Sequence, residues 1–173
     1  MREKIIEYLK EKYNPISILL YGSYSNGMND ASSDFDCMVI VENGNTDTFI
    51  TAYDAEIVLD DGTGERLRQR VRDYVRDNSV TEESEKRFVA SWIVKTCKRI
   101  EKGDDEGNYR AFMLMSESLA DYYMFRDMFY FGSKKAIKYL KENDVQGYEI
   151  FHKAVVDKNN EAIVEWLRYL CNY

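Results

Sequence analysis

Gly22-Ser23 is separated by ten residues from the acid pair Asp34 and Asp36, and each feature adjoins a short apolar run, residues 16–21 before the turn and residues 37–41 after the acids. That order predicts two neighbouring strands whose joined ends carry the polar chemistry. Side chains two apart on a strand share a face, so Asp34 and Asp36 are expected to project side by side. Carboxylates held that close repel one another unless a positive charge lies between them. Magnesium suits that role, because it takes a few carboxylates and leaves positions for phosphate oxygens. The Gly22-Ser23 turn adds backbone N–H groups and a hydroxyl to receive those phosphates. The residues alone therefore predict a site for a divalent metal and a nucleoside triphosphate.

The rest of the chain divides around this feature. Residues 2–13 read as an amphipathic helix with Ile5, Ile6 and Leu9 on one stripe, ended by Pro15. Residues 24–28 are expected to form a short helix whose N-terminus faces the site. Residues 42–45 carry a turn signal, and residues 51–59 read as a third strand with Asp54 and Glu56 on one face. Beyond Gly64 the periodicity becomes helical, beginning with residues 65–77 and with Leu67, Val71, Tyr74 and Val75 inward. A capping box at residues 79–82 opens a helix to about residue 102, with Phe88, Val89, Trp92, Ile93 and Ile100 inward. A long helix over residues 109–131 is apolar on more than one side, which suits the centre of a bundle, and three shorter helices follow over 134–142, 145–157 and 161–170. The predicted class is α+β: a small mixed sheet with flanking helices over residues 1–62, then an all-helical bundle over residues 63–173.

Composition excludes several classes. A net charge of −7 argues against a general nucleic-acid binder, whose affinity rests on neutralising phosphates. Three widely spaced cysteines show neither metal-ligand spacing nor a disulfide framework, which predicts a reducing, cytoplasmic setting. No window approaches the length of a membrane span. The arginines 66, 68, 70, 72 and 76 point around their helix and alternate with acids, so they read as a solvated face. His152 and the aromatics of residues 122–131 read as structural.

The stretch Leu20-Tyr21-Gly22-Ser23-Tyr24-Ser25-Asn26-Gly27, with Ser33-Asp34-Phe35-Asp36 opening the next strand, resembles the polymerase-beta-like nucleotidyltransferase superfamily. Residues 109–140 are similar to the helical domain of aminoglycoside (kanamycin/streptomycin-type) nucleotidyltransferases. The resemblance implies a catalytic domain over residues 1–62 and a helical acceptor-binding domain over 63–173. It implies two Mg2+ ions held by Asp34, Asp36 and a third acid on the following strand, either Asp54, which is favoured, or Glu56, the other of the two being free to act as base. Gly22 and Ser23, with Arg126 and Lys134 as cations, would bind the triphosphate of ATP or another nucleoside triphosphate. Glu117 and Asp121, four apart on one helix face, either line a pocket for a small hydroxylated, amine-bearing acceptor or pair with neighbouring cations. The implied reaction is transfer of a nucleoside monophosphate, AMP in the leading case, to that acceptor, as in antibiotic modification. The alternative is an antitoxin-type nucleotidyltransferase that binds and modifies a protein partner. The resemblance also allows a homodimer.

Overall fold

The computed structural model describes residues 2–27, 29–42 and 50–172. The chain forms two compact units, Met1–Val75 and Arg76–Tyr173.

The first unit opens with helix α1, Arg2–Tyr13. Asn14 takes a left-handed backbone (φ 44°) and Pro15 follows, so the chain turns out of the helix into strand β1, Ser17–Leu20. Its four residues are all buried, as expected of a central strand. Strand β2, Cys37–Ile40, and strand β3, Glu56–Asp60, flank it in the order β2-β1-β3. The expected α+β class is found. Both pairings are antiparallel rather than mixed. No helical crossover of a dozen residues separates consecutive strands among the described residues, so a parallel neighbour is not built. Leu20 is aligned with Cys37 on one side and Glu56 on the other, and a register shift interrupts the β1–β3 ladder between Ile18 and Leu19.

Two elements of this unit depart from expectation. Residues 50–53 form a 3-10 turn and Asp54 lies in a bend, so β3 begins only at Glu56 and the two acids do not share one strand. The β-branched and aromatic residues there resemble a strand locally, but Ala52 is buried by the turn instead. The helix expected over residues 24–28 is a 3-10 turn, Gly22–Tyr24, and Met28 lies outside the described residues. Of the turn expected over residues 42–45, all but Glu42 also lies outside them.

Helix α2, Thr63–Asp77, is started by Asp60, whose carboxylate accepts from the N–H of Gly64 (2.7 Å) and of Glu65 (3.2 Å). Gly64 is required here, because a Cβ would run into Ser17 Oγ. Leu67, Val71 and Val75 are buried, whereas Tyr74, expected inward, is half exposed at the edge of that stripe.

The second unit is a bundle: α3 Glu83–Ile100, α4 Asp105–Phe125, α5 Ser133–Asn143, α6 Val145–Asp157 and α7 Asn160–Leu170. Asp104, Asp144 and Asn159 cap α4, α6 and α7 by accepting from the N–H three residues on. Trp166 is fully buried and stacks on Tyr122, with Phe151 packed edge-on against it. The stripe predicted for α3 is found in part: Val89, Ile93 and Ile100 pack in the core as expected, whereas Phe88 and Trp92 are exposed and Lys86, Thr96 and Cys97 are buried. Two overlapping apolar stripes run along this helix, and the bundle core takes the one containing Ile93, Cys97 and Ile100. The expected capping box is also replaced. Glu82 occupies the N-cap without a side-chain bond, while Asp127 accepts from Thr81 N–H (3.0 Å) and pairs with the buried Lys86 ammonium (2.7 Å). The helix expected over residues 109–131 runs instead from Asp105 to Phe125. It ends where Arg126 leaves the helical region and Asp127 adopts a positive φ.

Candidate functional site

The loop-side end of the sheet is built from β1, β2 and the 3-10 turn. Tyr21 N–H donates to the Asp36 carbonyl (3.2 Å), carrying the β1–β2 ladder one step past its last strand residues. The next residue, Gly22, has φ 70°, a left-handed value that favours glycine. A Cβ at this position would stand 2.5 Å from Asp36 Oδ2. The glycine therefore does two things at once: it turns the chain, and it leaves the space that the Asp36 carboxylate occupies beside the turn. Tyr24, at the end of the 3-10 turn, meets Phe35 edge-on at 5.1 Å, which ties the turn to the residue between the two acids. Ser25 Oγ donates to the Gly22 carbonyl (3.0 Å).

Asp34 is exposed and Asp36 half-buried. The loop leading to them is braced by Asp30, whose carboxylate accepts from Ser32 N–H (2.8 Å), Ser32 Oγ (2.7 Å) and Ser33 Oγ (3.2 Å). This Asx-type turn was not foreseen. The spacing Asp30-x-Ser32-Ser33 was the available signal. The charge of Asp36 is felt by its neighbours: burial first, and Asp36 second, push the Tyr21 phenol and the Cys37 thiol above their ordinary values.

The other predicted residues fall as follows. Ser23 lies within the 3-10 turn, half-buried. Glu56 pairs with Arg2 of α1. Because Glu56 aligns with Leu20 and Cys37 across the sheet, strand alternation sets it on the face opposite to Asp36. Asp54 is exposed in the bend before β3, at the same end of the sheet as Asp36. Arg126 is taken up inside the helical unit: its guanidinium lies 3.7 Å from the Tyr122 ring centre and donates to the carbonyls of Tyr122 and Leu170 (both 3.3 Å). Lys134 is exposed in the first turn of α5. Glu117 is exposed on α4, and Asp121 is raised to about 6 by burial and then by the charge of Glu117.

Among the described residues, no three His, Cys, Asp or Glu side chains are grouped closely enough to hold one metal ion. Magnesium does not require three. It binds through one or two carboxylates when substrate phosphates and water complete its shell. The Asp36 carboxylate, set against Gly22 and with Asp34 two residues away, is a donor type that fits a hard cation delivered with a triphosphate.

A family model described as nucleotidyltransferase domain matches residues 2–111. The chain belongs to the nucleotidyltransferase-domain family. The match covers the whole sheet and continues through α3 into α4, so the Gly22–Asp36 corner lies within it. Membership carries transfer of a nucleotidyl group from a nucleoside triphosphate as the general chemistry. No curated protein and no solved structure gives a significant match. Among the described residues no helix is long and apolar enough to cross a membrane.

Proposed function

We propose that this nucleotidyltransferase is a magnesium-dependent enzyme that moves AMP from ATP to a hydroxyl of a small, cationic acceptor of aminoglycoside type. The observation that carries the reading is the close approach of Asp36 to a turn whose left-handed backbone favours glycine. A site of this kind keeps a carboxylate and backbone N–H groups within reach of one triphosphate.

In the proposed reaction the acceptor oxygen bonds to the α-phosphorus, the bond from that phosphorus to the bridging oxygen breaks, and pyrophosphate leaves. Divalent metal, held by Asp34, Asp36 and Asp54, would supply charge stabilisation for the entering and departing oxygens. Asp54 is the proposed proton acceptor for the attacking hydroxyl, because it stands at the Asp36 end of the sheet while strand alternation sets Glu56 on the opposite face. Gly22 and Ser23 position the phosphates. Support for a cationic acceptor comes from Asp121 and Glu117: burial first and Glu117 second raise Asp121, and an ammonium beside the two acids would favour its charged form.

One observation favours a second reading, in which the substrate is a protein. Phe88 of α3 and Phe112 of α4 are 73% and 72% exposed, and large apolar rings of this kind are what a protein partner would cover. Incubation of the protein with α-labelled nucleoside triphosphates and magnesium, against aminoglycosides, other small alcohols and protein extracts, separates the two. A labelled small molecule supports the first reading and a labelled polypeptide the second. Label transfer that persists in the Asp34→Asn/Asp36→Asn double variant contradicts both.

A further inference from the structure

Arg68 stands apart from the four arginines that surround it in sequence. Residues 64, 67, 71 and 75 form the buried stripe of α2, and position 68 lies four after Gly64, on the inward side. Arg66, Arg70, Arg72 and Arg76 are exposed, whereas the Arg68 side chain keeps 23% of its accessible surface. Two nitrogens of its guanidinium are engaged. Nη1 donates to the Ala55 carbonyl (3.2 Å), Nη2 pairs with Glu65, and Nε is sealed from solvent with no hydrogen-bond partner.

Of these contacts, the one with Glu65 is a local pair on an exposed helix turn, and pairs of that kind contribute little. The bond to Ala55 is long in sequence and charge-assisted. Ala55 is itself buried and sits between the bend at Asp54 and the first strand residue, Glu56. It is one step beyond the last aligned β1–β3 pair, Leu20 with Glu56, where a ladder would otherwise fray. A guanidinium spent in this way is not disposed to receive a phosphate, since its Nε is inaccessible and its Nη1 is already committed to backbone.

We propose that Arg68 is a positioning residue of the transfer site: it pins the backbone between Asp54 and Glu56, and so fixes the direction of the Asp54 carboxylate, without touching the nucleotide. The proposal rests on the reading of Asp54 given above.

The test compares full-length wild type with Arg68→Met and Arg68→Lys. In Arg68→Met, amide hydrogen exchange at residues 54–57 should rise about tenfold or more while residues 17–20 and 37–40 stay protected. Label transfer should lose roughly tenfold or more in kcat, with KM for the nucleotide held within about threefold. Arg68→Lys retains a donor able to reach the carbonyl and should recover most of the protection and part of the kcat. Unchanged exchange in Arg68→Met overturns the proposal. So does a rise in nucleotide KM at intact kcat, which would make Arg68 a nucleotide ligand. If wild type transfers no label to any acceptor, the functional reading fails separately, and the exchange of Arg68→Met and Arg68→Lys alone decides whether the brace exists.

Discussion

The two units use burial in opposite ways. In the helical unit the large side chains converge: Trp166, Tyr122, Phe125, Leu167 and Leu170 are buried in one cluster, where Trp166 Nε1 is sealed without a partner but other polar groups are answered by neighbours. Asp144 shows the pattern, accepting from Tyr122 OH (2.7 Å), Tyr169 OH (2.6 Å) and Gly147 N–H (2.9 Å). These bonds hold its carboxyl below the ordinary value although burial works the other way. In the sheet unit the fully buried strand residues are few, chiefly Ile18, Leu19 and Leu20, and α1 buries none of its residues. There the exposed carboxylates Asp34 and Asp54 stand at one end of a small sheet. The contrast separates a unit whose acids are held among buried side chains from one whose acids face solvent.

Breaking the helical core should have the largest effect on stability. Trp166→Ala removes a fully buried ring stacked against Tyr122 and Tyr169 and should cost about 3–5 kcal/mol in chemical denaturation. Asp144→Ala strands two phenols and a helix cap, and should cost about 2–4 kcal/mol by the same measurement. In the sheet unit, Gly22→Ala should instead be read mainly in activity. The positive φ costs roughly 1–2 kcal/mol of stability, and the methyl displaces the Asp36 carboxylate, so label transfer should fall by about a hundredfold.

A smaller effect is tied to pH. Asp121 is raised from 3.8 to about 6, by burial first and by Glu117 second. Its protonated form therefore favours the folded chain. That contribution is complete below pH 3.8 and is lost as the pH rises through about 6. Asp121→Asn should flatten the fall in stability between pH 4 and pH 7 by about 1–2 kcal/mol, discounted for its partial exposure. Least of all should be the change in stability from Phe88→Ser, within about 0.5 kcal/mol, because that side chain lies in water. A larger loss would mean that Phe88 is covered.

Much of this was legible from residue order, for stated reasons. The bounds of α1 follow from its stripe and Pro15, and those of α6 from the Asp144 cap and its apolar periodicity. The Gly22 turn and the strands on either side of it, β1 and β2, were visible because turn and flanking apolar runs each have a local cause, whereas β2 begins at Cys37 and so leaves Asp34 and Asp36 outside the strand. The rest is decided at long range. Residues 51–53 have strand-like side chains, yet the chain turns there to bury Ala52. Phe88 and Trp92 compete with Ile93 and Cys97 for the core, and only packing in the bundle chooses between them. Arg126 has the composition of a phosphate ligand, but Tyr122 and two carbonyls occupy it. Arg68 was hidden among like neighbours, although its spacing from Gly64 placed it inward.

The central claim is that the corner formed by Gly22 and Asp36 performs nucleotidyl transfer. Its most direct test is the rate of α-labelled nucleotide incorporation by Asp36→Asn beside wild type, with thermal unfolding of both followed by circular dichroism. The account predicts a loss of roughly a thousandfold or more at an unchanged midpoint. Incorporation at the wild-type rate by a folded Asp36→Asn protein would contradict it.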